Sequence, residues 1–168
     1  MLSISKKCLK ANVEAHDWKD SIRKAGQLLF DVGSIRKDYI ESMIDIVEEL
    51  GPYIVIAPHI ALAHAKPCSN VIKDDISMIT LKEPINFNTE NDPVKVIICL
   101  AAVDGNSHMS CLKDLACMLK EENCEKLINC KTDDDLYRFV EQANGRLLCA
   151  EKFHQAYPIS RAISEEQL

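Results

Sequence analysis
Apolar residues return every three to four positions through Trp18, Ile22, Ala25, Leu28 and Leu29. That spacing predicts an amphipathic helix with Asp17 as its N-cap and Gly33 just past its end. Tyr39, Ile40, Met43, Ile44 and Val47 repeat the pattern and predict a second helix, closed by Gly51-Pro52. The periodicity then changes. Residues 53–57, 76–81 and 94–103 are short apolar runs that predict strands. The run 94–103 is apolar almost throughout, as expected of a strand buried on both faces in the middle of a helix-covered sheet. Helical spacing resumes at Ser107 with Cys111, Leu112, Leu115, Met118 and Leu119, then over 125–130. A last helix carries Leu136, Phe139 and Val140, with Thr132 as cap and Asp135 at its third position.

Helices before, between and after the strands predict a layered α/β domain. Residues 1–145 are expected to form one domain, and 146–168 a C-terminal extension that packs on it or frays in part. The formal net charge of −6 leaves no large basic surface, so a nucleic-acid partner is not expected. No apolar run approaches the ~20 residues of a membrane span, and the N-terminal MLSISKKCLK lacks the apolar core of a signal peptide. A cytoplasmic location with no direct membrane insertion is expected. The eight cysteines form no CxxC pair. Cys99, Cys111 and Cys117 sit in apolar stretches, where free cysteine behaves as a small hydrophobe, so reduced thiols are expected.

Candidate chemistry concentrates on two histidines. The stretch 51–67, GPYIVIAPHIALAHAKP, reads as a short apolar strand ending on His64, with Ala61, Ala63 and Ala65 leaving room around the ring and Lys66 adding a cation. The run 94–103 leads through Asp104-Gly105-Asn106 to His108 in the first turn of a helix, where an anion is favoured. There Ser107 is the expected N-cap and Asp104 a turn residue. A neutral imidazole is a competent nucleophile near pH 7, and a second imidazole can donate to a phosphoryl oxygen. Ligands in α/β sheets sit beyond strand carboxyl ends, so the two ring centres are expected within roughly 10 Å of each other. His59, Lys66 and Ser107 complete the expected phosphate vicinity. His16 and His154 carry no local pattern. No cysteine or carboxylate cluster gives a zinc spacing, and no GxxxxGK[ST], GxGxxG or GxSxG is present, so neither metal nor cofactor is expected.

Three blocks carry a family resemblance: EELGPYIVIAP, IALAHAKP and FNTENDPVKVIICLAAVDGNSHMSCLKDLACML. Over residues 9–144 the chain resembles the IIA component of the mannitol/fructose class of the bacterial phosphoenolpyruvate-dependent sugar phosphotransferase system, on the side of its ascorbate-type and pentitol-type members. The resemblance implies a three-layer α/β/α sandwich around a mixed β-sheet, in which His64 accepts a phosphoryl group from phospho-HPr and His108 stabilises it. It also implies onward transfer to a cysteine of a IIB component and, indirectly, to sugar crossing through the membrane component IIC. The alternative is a regulatory, nitrogen-type phosphoprotein whose phosphorylation controls partner binding. A third reading is a paralogue that no longer transfers phosphate. Relatives usually have proline before the active histidine, where this chain has Ala63, and glycine where it has His59. An arginine of mannitol-type relatives would fall near Ile46. Ascorbate-type members also lack that arginine, so its loss weakens a mannitol assignment more than it weakens phosphoryl transfer.

Overall fold
The computed structural model describes residues 3–147. Its strands are β1 (Leu9–Val13), β2 (Val55–Ala57), β3 (Ile60–His64), β4 (Asp75–Ile85) and β5 (Val94–Ala101). The helices are α1 (Trp18–Asp31), α2 (Lys37–Leu50), α3 (Gly105–Met118), α4 (Glu121–Ile128) and α5 (Asp133–Leu147). The sheet order is β1-β4-β5-β3-β2. β1 is parallel to β4 and β3 to β5, while β4–β5 and β2–β3 are antiparallel. The sheet is therefore mixed, and the α/β sandwich expected from the sequence is the observed architecture. The expected extension 146–168 lies outside the described residues, apart from positions 146 and 147 at the end of α5.

β5 is the centre of the sheet, and Val96 to Ala101 are all buried, which explains its unbroken apolar run. Ser77 and Cys99 face each other across β4 and β5 and both reach α1: the Ser77 hydroxyl donates to the Ala25 carbonyl at 2.6 Å, and the Cys99 thiol lies 4.0 Å from the Ile22 carbonyl. α1 and α2 pack together, and α3 and α4 both pack against α5. Asp17 caps α1 by accepting from the Asp20 N–H at 2.8 Å. Thr132 and Asp135 form the expected reciprocal box, with Asp135 N–H to the Thr132 hydroxyl at 3.1 Å and Thr132 N–H to the Asp135 carboxylate at 3.0 Å.

Several elements differ from the sequence reading for local physical reasons. β1 was not expected: LKANV is five residues long at a sheet edge and buries mainly Leu9, too weak an alternation to stand out. β4 runs on to Ile85, past exposed Lys82, Glu83 and Pro84, because an irregularity in register between Thr80 and Ile85 accommodates a proline in the strand. The stretch 51–67 is not one strand but a hairpin, β2 and β3, turned at Pro58-His59.

His59 holds that turn. Its φ is +70°, in the left-handed region. Its backbone N–H donates to the Asn91 carbonyl, and its own carbonyl accepts from the amides of Lys95 and Val96. Its ring Nδ1 donates to the Pro93 carbonyl at 2.6 Å. His59 thus clasps the hairpin to the segment that feeds β5. His59→Ala should cost about 1 kcal/mol, from the lost ring hydrogen bond, because histidine and alanine both carry a Cβ in the left-handed region. His59→Gly loses the same bond but sheds the Cβ strain, and should leave stability within about 0.5 kcal/mol of the wild type. Urea unfolding measures both, and equal costs would contradict this account of the turn.

Candidate functional site
The parallel pairing of β3 and β5 runs in register from Ile60–Val96 to His64–Leu100, so the two strands finish side by side. His64 is the last residue of β3. Beyond β5 the chain passes through buried Ala102 to Asp104 and enters α3, with His108 as its fourth residue. The His108 N–H makes the first helical bond, to the Asp104 carbonyl at 2.9 Å. The two imidazoles meet with ring centroids 5.4 Å apart and planes inclined by 51°. Both are buried, His64 with 5% and His108 with 2% of its surface exposed.

The hydrogen bonding gives His64 a definite tautomer. Its Nδ1 lies 3.1 Å from the Leu62 carbonyl, which can only accept, so Nδ1 carries the proton and Nε2 keeps its lone pair. The His64 pKa is lowered from 6.5 to about 4: burial is the main cause, the Leu62 carbonyl pulls the other way in part, and the neighbouring His108 adds a smaller lowering. Burial also lowers the His108 pKa. Two adjacent imidazoles that are both neutral at pH 7 do not repel each other, and a neutral ring keeps a lone pair that can act as a nucleophile. The Nδ1 of His108 is buried with no hydrogen-bond partner. Buried polar atoms are normally paired, so this orphan is free to act on a group brought to the site.

An open cleft borders His64, lined by Asp45, Ile46 and Glu49 of α2 and by Tyr53, Lys66 and Cys68. The Tyr53 ring stands edge-on to His64 at 6.0 Å. Lys66 is exposed on the loop after β3, and Ile46 of α2 gives that wall no cation. Asp104, not Ser107, is the N-cap of α3: its carboxylate accepts from the Ser107 N–H at 2.8 Å, and those hydrogen bonds lower its pKa. Ser107 is the third helical residue. The Asp104 carboxylate takes up the Ser107 N–H, and the unpaired Nδ1 of His108 is the side-chain group on offer at this helix start.

His59 is not brought to the pair. It precedes β3 while His64 ends it, a separation of roughly 16 Å at ~3.3 Å per residue. It therefore neither touches a group on His64 nor sits close enough to tune it. Two residues gained a place at the site that the sequence did not give them. Tyr53 read as the start of a strand and Tyr39 as part of a core stripe. The Tyr39 hydroxyl accepts from the Ala65 N–H at 3.1 Å and donates to the Leu100 carbonyl at 2.8 Å. Among the described residues, no group of three or more His, Cys, Asp or Glu side chains could hold a metal ion.

With this geometry in hand, comparisons with known proteins are specific. Residues 3–143 match the family model described as "Phosphoenolpyruvate-dependent sugar phosphotransferase system, EIIA 2". The ascorbate-specific PTS system EIIA component of Escherichia coli strain K12 is 33% identical over 142 residues, covering 83% of this chain and 92% of that protein. A PTS IIA protein (PtxA) from Streptococcus mutans superposes with a TM-score of 0.73 at 30% identity, over 83% of this chain and 90% of its own. The mannitol-specific cryptic phosphotransferase enzyme IIA of Escherichia coli superposes with a TM-score of 0.76 at 26% identity, over 83% and 95%. The match of almost the whole described domain, together with a relative similar over nearly its full length, shows that the chain belongs to the EIIA 2 family of the phosphoenolpyruvate-dependent sugar phosphotransferase system.

Proposed function
We propose that this phosphotransferase component accepts a phosphoryl group from phospho-HPr on Nε2 of His64 and passes it to a cysteine of a IIB component. The observation that carries the reading is a buried, neutral His64 whose Nδ1–H is tied to Leu62, 5.4 Å from a second buried imidazole with an unpaired nitrogen. In the first step the Nε2 lone pair attacks phosphorus, and the bond from phosphorus to its HPr donor breaks. The Nδ1 proton stays where it is, and the Leu62 carbonyl stabilises the positive charge that the ring acquires. In the second step the IIB thiolate attacks phosphorus, and the electron pair of the breaking N–P bond returns to Nε2. No proton has to move in either direction. His108 supplies a donor to the phosphoryl oxygens, and Lys66 at the mouth of the cleft adds positive charge for the incoming dianion. Catalysis of this kind consists chiefly of positioning and charge stabilisation.

Similarity to the ascorbate-specific relative supports uptake of ascorbate or a related sugar or pentitol through a membrane component IIC. The regulatory, nitrogen-type alternative uses the same chemistry at His64 and differs in the partner that reads it. The long identity to an EIIA relative favours the transport branch. None of the described helices is long and apolar enough to cross a membrane. The transport reading itself implies a cytoplasmic place of action beside the membrane component.

Mass spectrometry after incubation with phosphoenolpyruvate, enzyme I and HPr, under conditions that preserve phosphohistidine, tests the assignment. His64→Ala should abolish phosphorylation. His108→Ala should slow it by about 10²–10³, the usual cost of one preorganised donor, with modified protein still accumulating at long times. Phosphate on another histidine, with His64→Ala fully active, would contradict the assignment. Separate candidate IIB proteins then distinguish transport from regulation: transfer to a IIB cysteine is expected, and transfer to none overturns the transport reading.

The depressed pKa makes a second prediction. His64 should stay neutral from pH 8 down to about 5, with an imidazole NMR titration midpoint near 4. In the unfolded chain the midpoint returns to about 6.5. The folded state is therefore favoured fully above pH 6.5, and that advantage, about 3 kcal/mol from this residue, fades as pH falls from 6.5 to 4. A His64 midpoint at 6.5 in the folded protein would contradict the burial argument.

A further inference from the structure
The end of the β3–β5 ladder is not closed by a direct backbone hydrogen bond. After the pair His64–Leu100, the next rung would join the Ala65 N–H to the Leu100 carbonyl. The hydroxyl of Tyr39, from α2, stands in that place: it accepts from the Ala65 N–H at 3.1 Å and donates to the Leu100 carbonyl at 2.8 Å. The Ala65 carbonyl, at 3.3 Å, is the second acceptor within its reach. Tyr39 is fully buried, so water cannot substitute for the phenol. Burial raises its pKa, and the hydroxyl keeps its proton.

The residues it joins are those that set the two imidazoles. Ala65 directly follows His64. Leu100 is the penultimate residue of β5, from which four residues lead to the Asp104 cap of α3 and then to His108. One side chain from a third element thus separates the two strand ends by a fixed amount, where each turns off toward its histidine.

We propose that Tyr39 is a positioning residue for phosphoryl transfer, its hydroxyl acting as a spacer that fixes His64 relative to His108. This rests on His64 being the acceptor. The side chain touches neither phosphate nor partner; it holds the strand ends in the separation that a phosphoryl group on Nε2 and a donor from His108 both require.

Tyr39→Phe removes only the oxygen and keeps the ring that fills the core. Single-turnover transfer from phospho-HPr, at varied phospho-HPr, reads the effect. The limiting rate should fall about tenfold or more, since small displacements of reacting groups are costly. The half-saturating concentration should stay within about twofold, because the docking surface is unchanged. Ser77→Ala is the matched control: it also deletes one buried hydroxyl bonded to a backbone carbonyl, but in the sheet beneath α1. It should lower the unfolding midpoint while leaving the limiting rate as in the wild type. A wild-type limiting rate in Tyr39→Phe, or equal slowing in both variants, overturns the proposal. Hydrogen exchange in the unsubstituted protein gives a reading that no folding defect can obscure: the Ala65 amide should be strongly protected, and exchange at the speed of an open loop amide overturns the spacer. Failure of the wild type itself to become phosphorylated would count against the acceptor assignment, not against the role of Tyr39 within it.

Discussion
Because β3 and β5 run parallel and in register, their carboxyl ends finish at the same edge of the sheet, and each delivers a histidine there. An antiparallel pair would have put His64 at one end of the domain and the start of α3 at the other. Much of the rest of the domain supports this pairing. β5 is buried on both faces, so the ladder is shielded from water. β4 holds its far side, and β2 covers the outer edge of β3 through the His59 turn. α2 reaches the pairing at its end through Tyr39.

Burial of the pair sets the chemistry. Withdrawing two imidazoles from water disfavours their charged forms and lowers both pKa values. That lowers the basicity of His64, but it keeps the lone pair available at any physiological pH. In the proposed role it also makes the ring a good leaving group when the phosphoryl moves on. A carrier has to be reversible, so neither acceptance nor release should be a deep thermodynamic trap. The Leu62 carbonyl complements this by holding the Nδ1–H of the free ring, and in the proposed mechanism it keeps that proton when the ring is loaded. The acidic residues Asp45 and Glu49 along the adjoining cleft leave Lys66 as the cation among its lining residues.

The parts of this arrangement that were legible in the sequence are those with a strong one-dimensional signature. The apolar run of β5 betrays a central strand, the stripes of α1 and α2 betray their buried faces, and small residues around His64 mark a ring that can be approached. The His59 hairpin was not legible, because nothing in PHI announces that a histidine will take a positive φ; only its partners on the loop before β5 make that conformation stable. Ser107 and Asp104 are both good N-caps, and a difference of three positions in the helix start decided between them only in three dimensions. Tyr39 was hidden for a different reason. Its ring lies on the apolar stripe that periodicity detects, while its function depends on one oxygen whose partners, Ala65 and Leu100, are 26 and 61 residues away in sequence.

The central claim is that the Leu62 carbonyl, by holding the proton on Nδ1, makes Nε2 of His64 the nucleophile. Nitrogen-15 and phosphorus-31 NMR of the phosphorylated protein, with labelled histidine, reads the site of attachment directly. The account predicts a single phosphohistidine linked through Nε2 of His64, with the Nδ1 proton retained and slow to exchange. A phosphoryl group on Nδ1 would require the bond to Leu62 to break and would contradict the account.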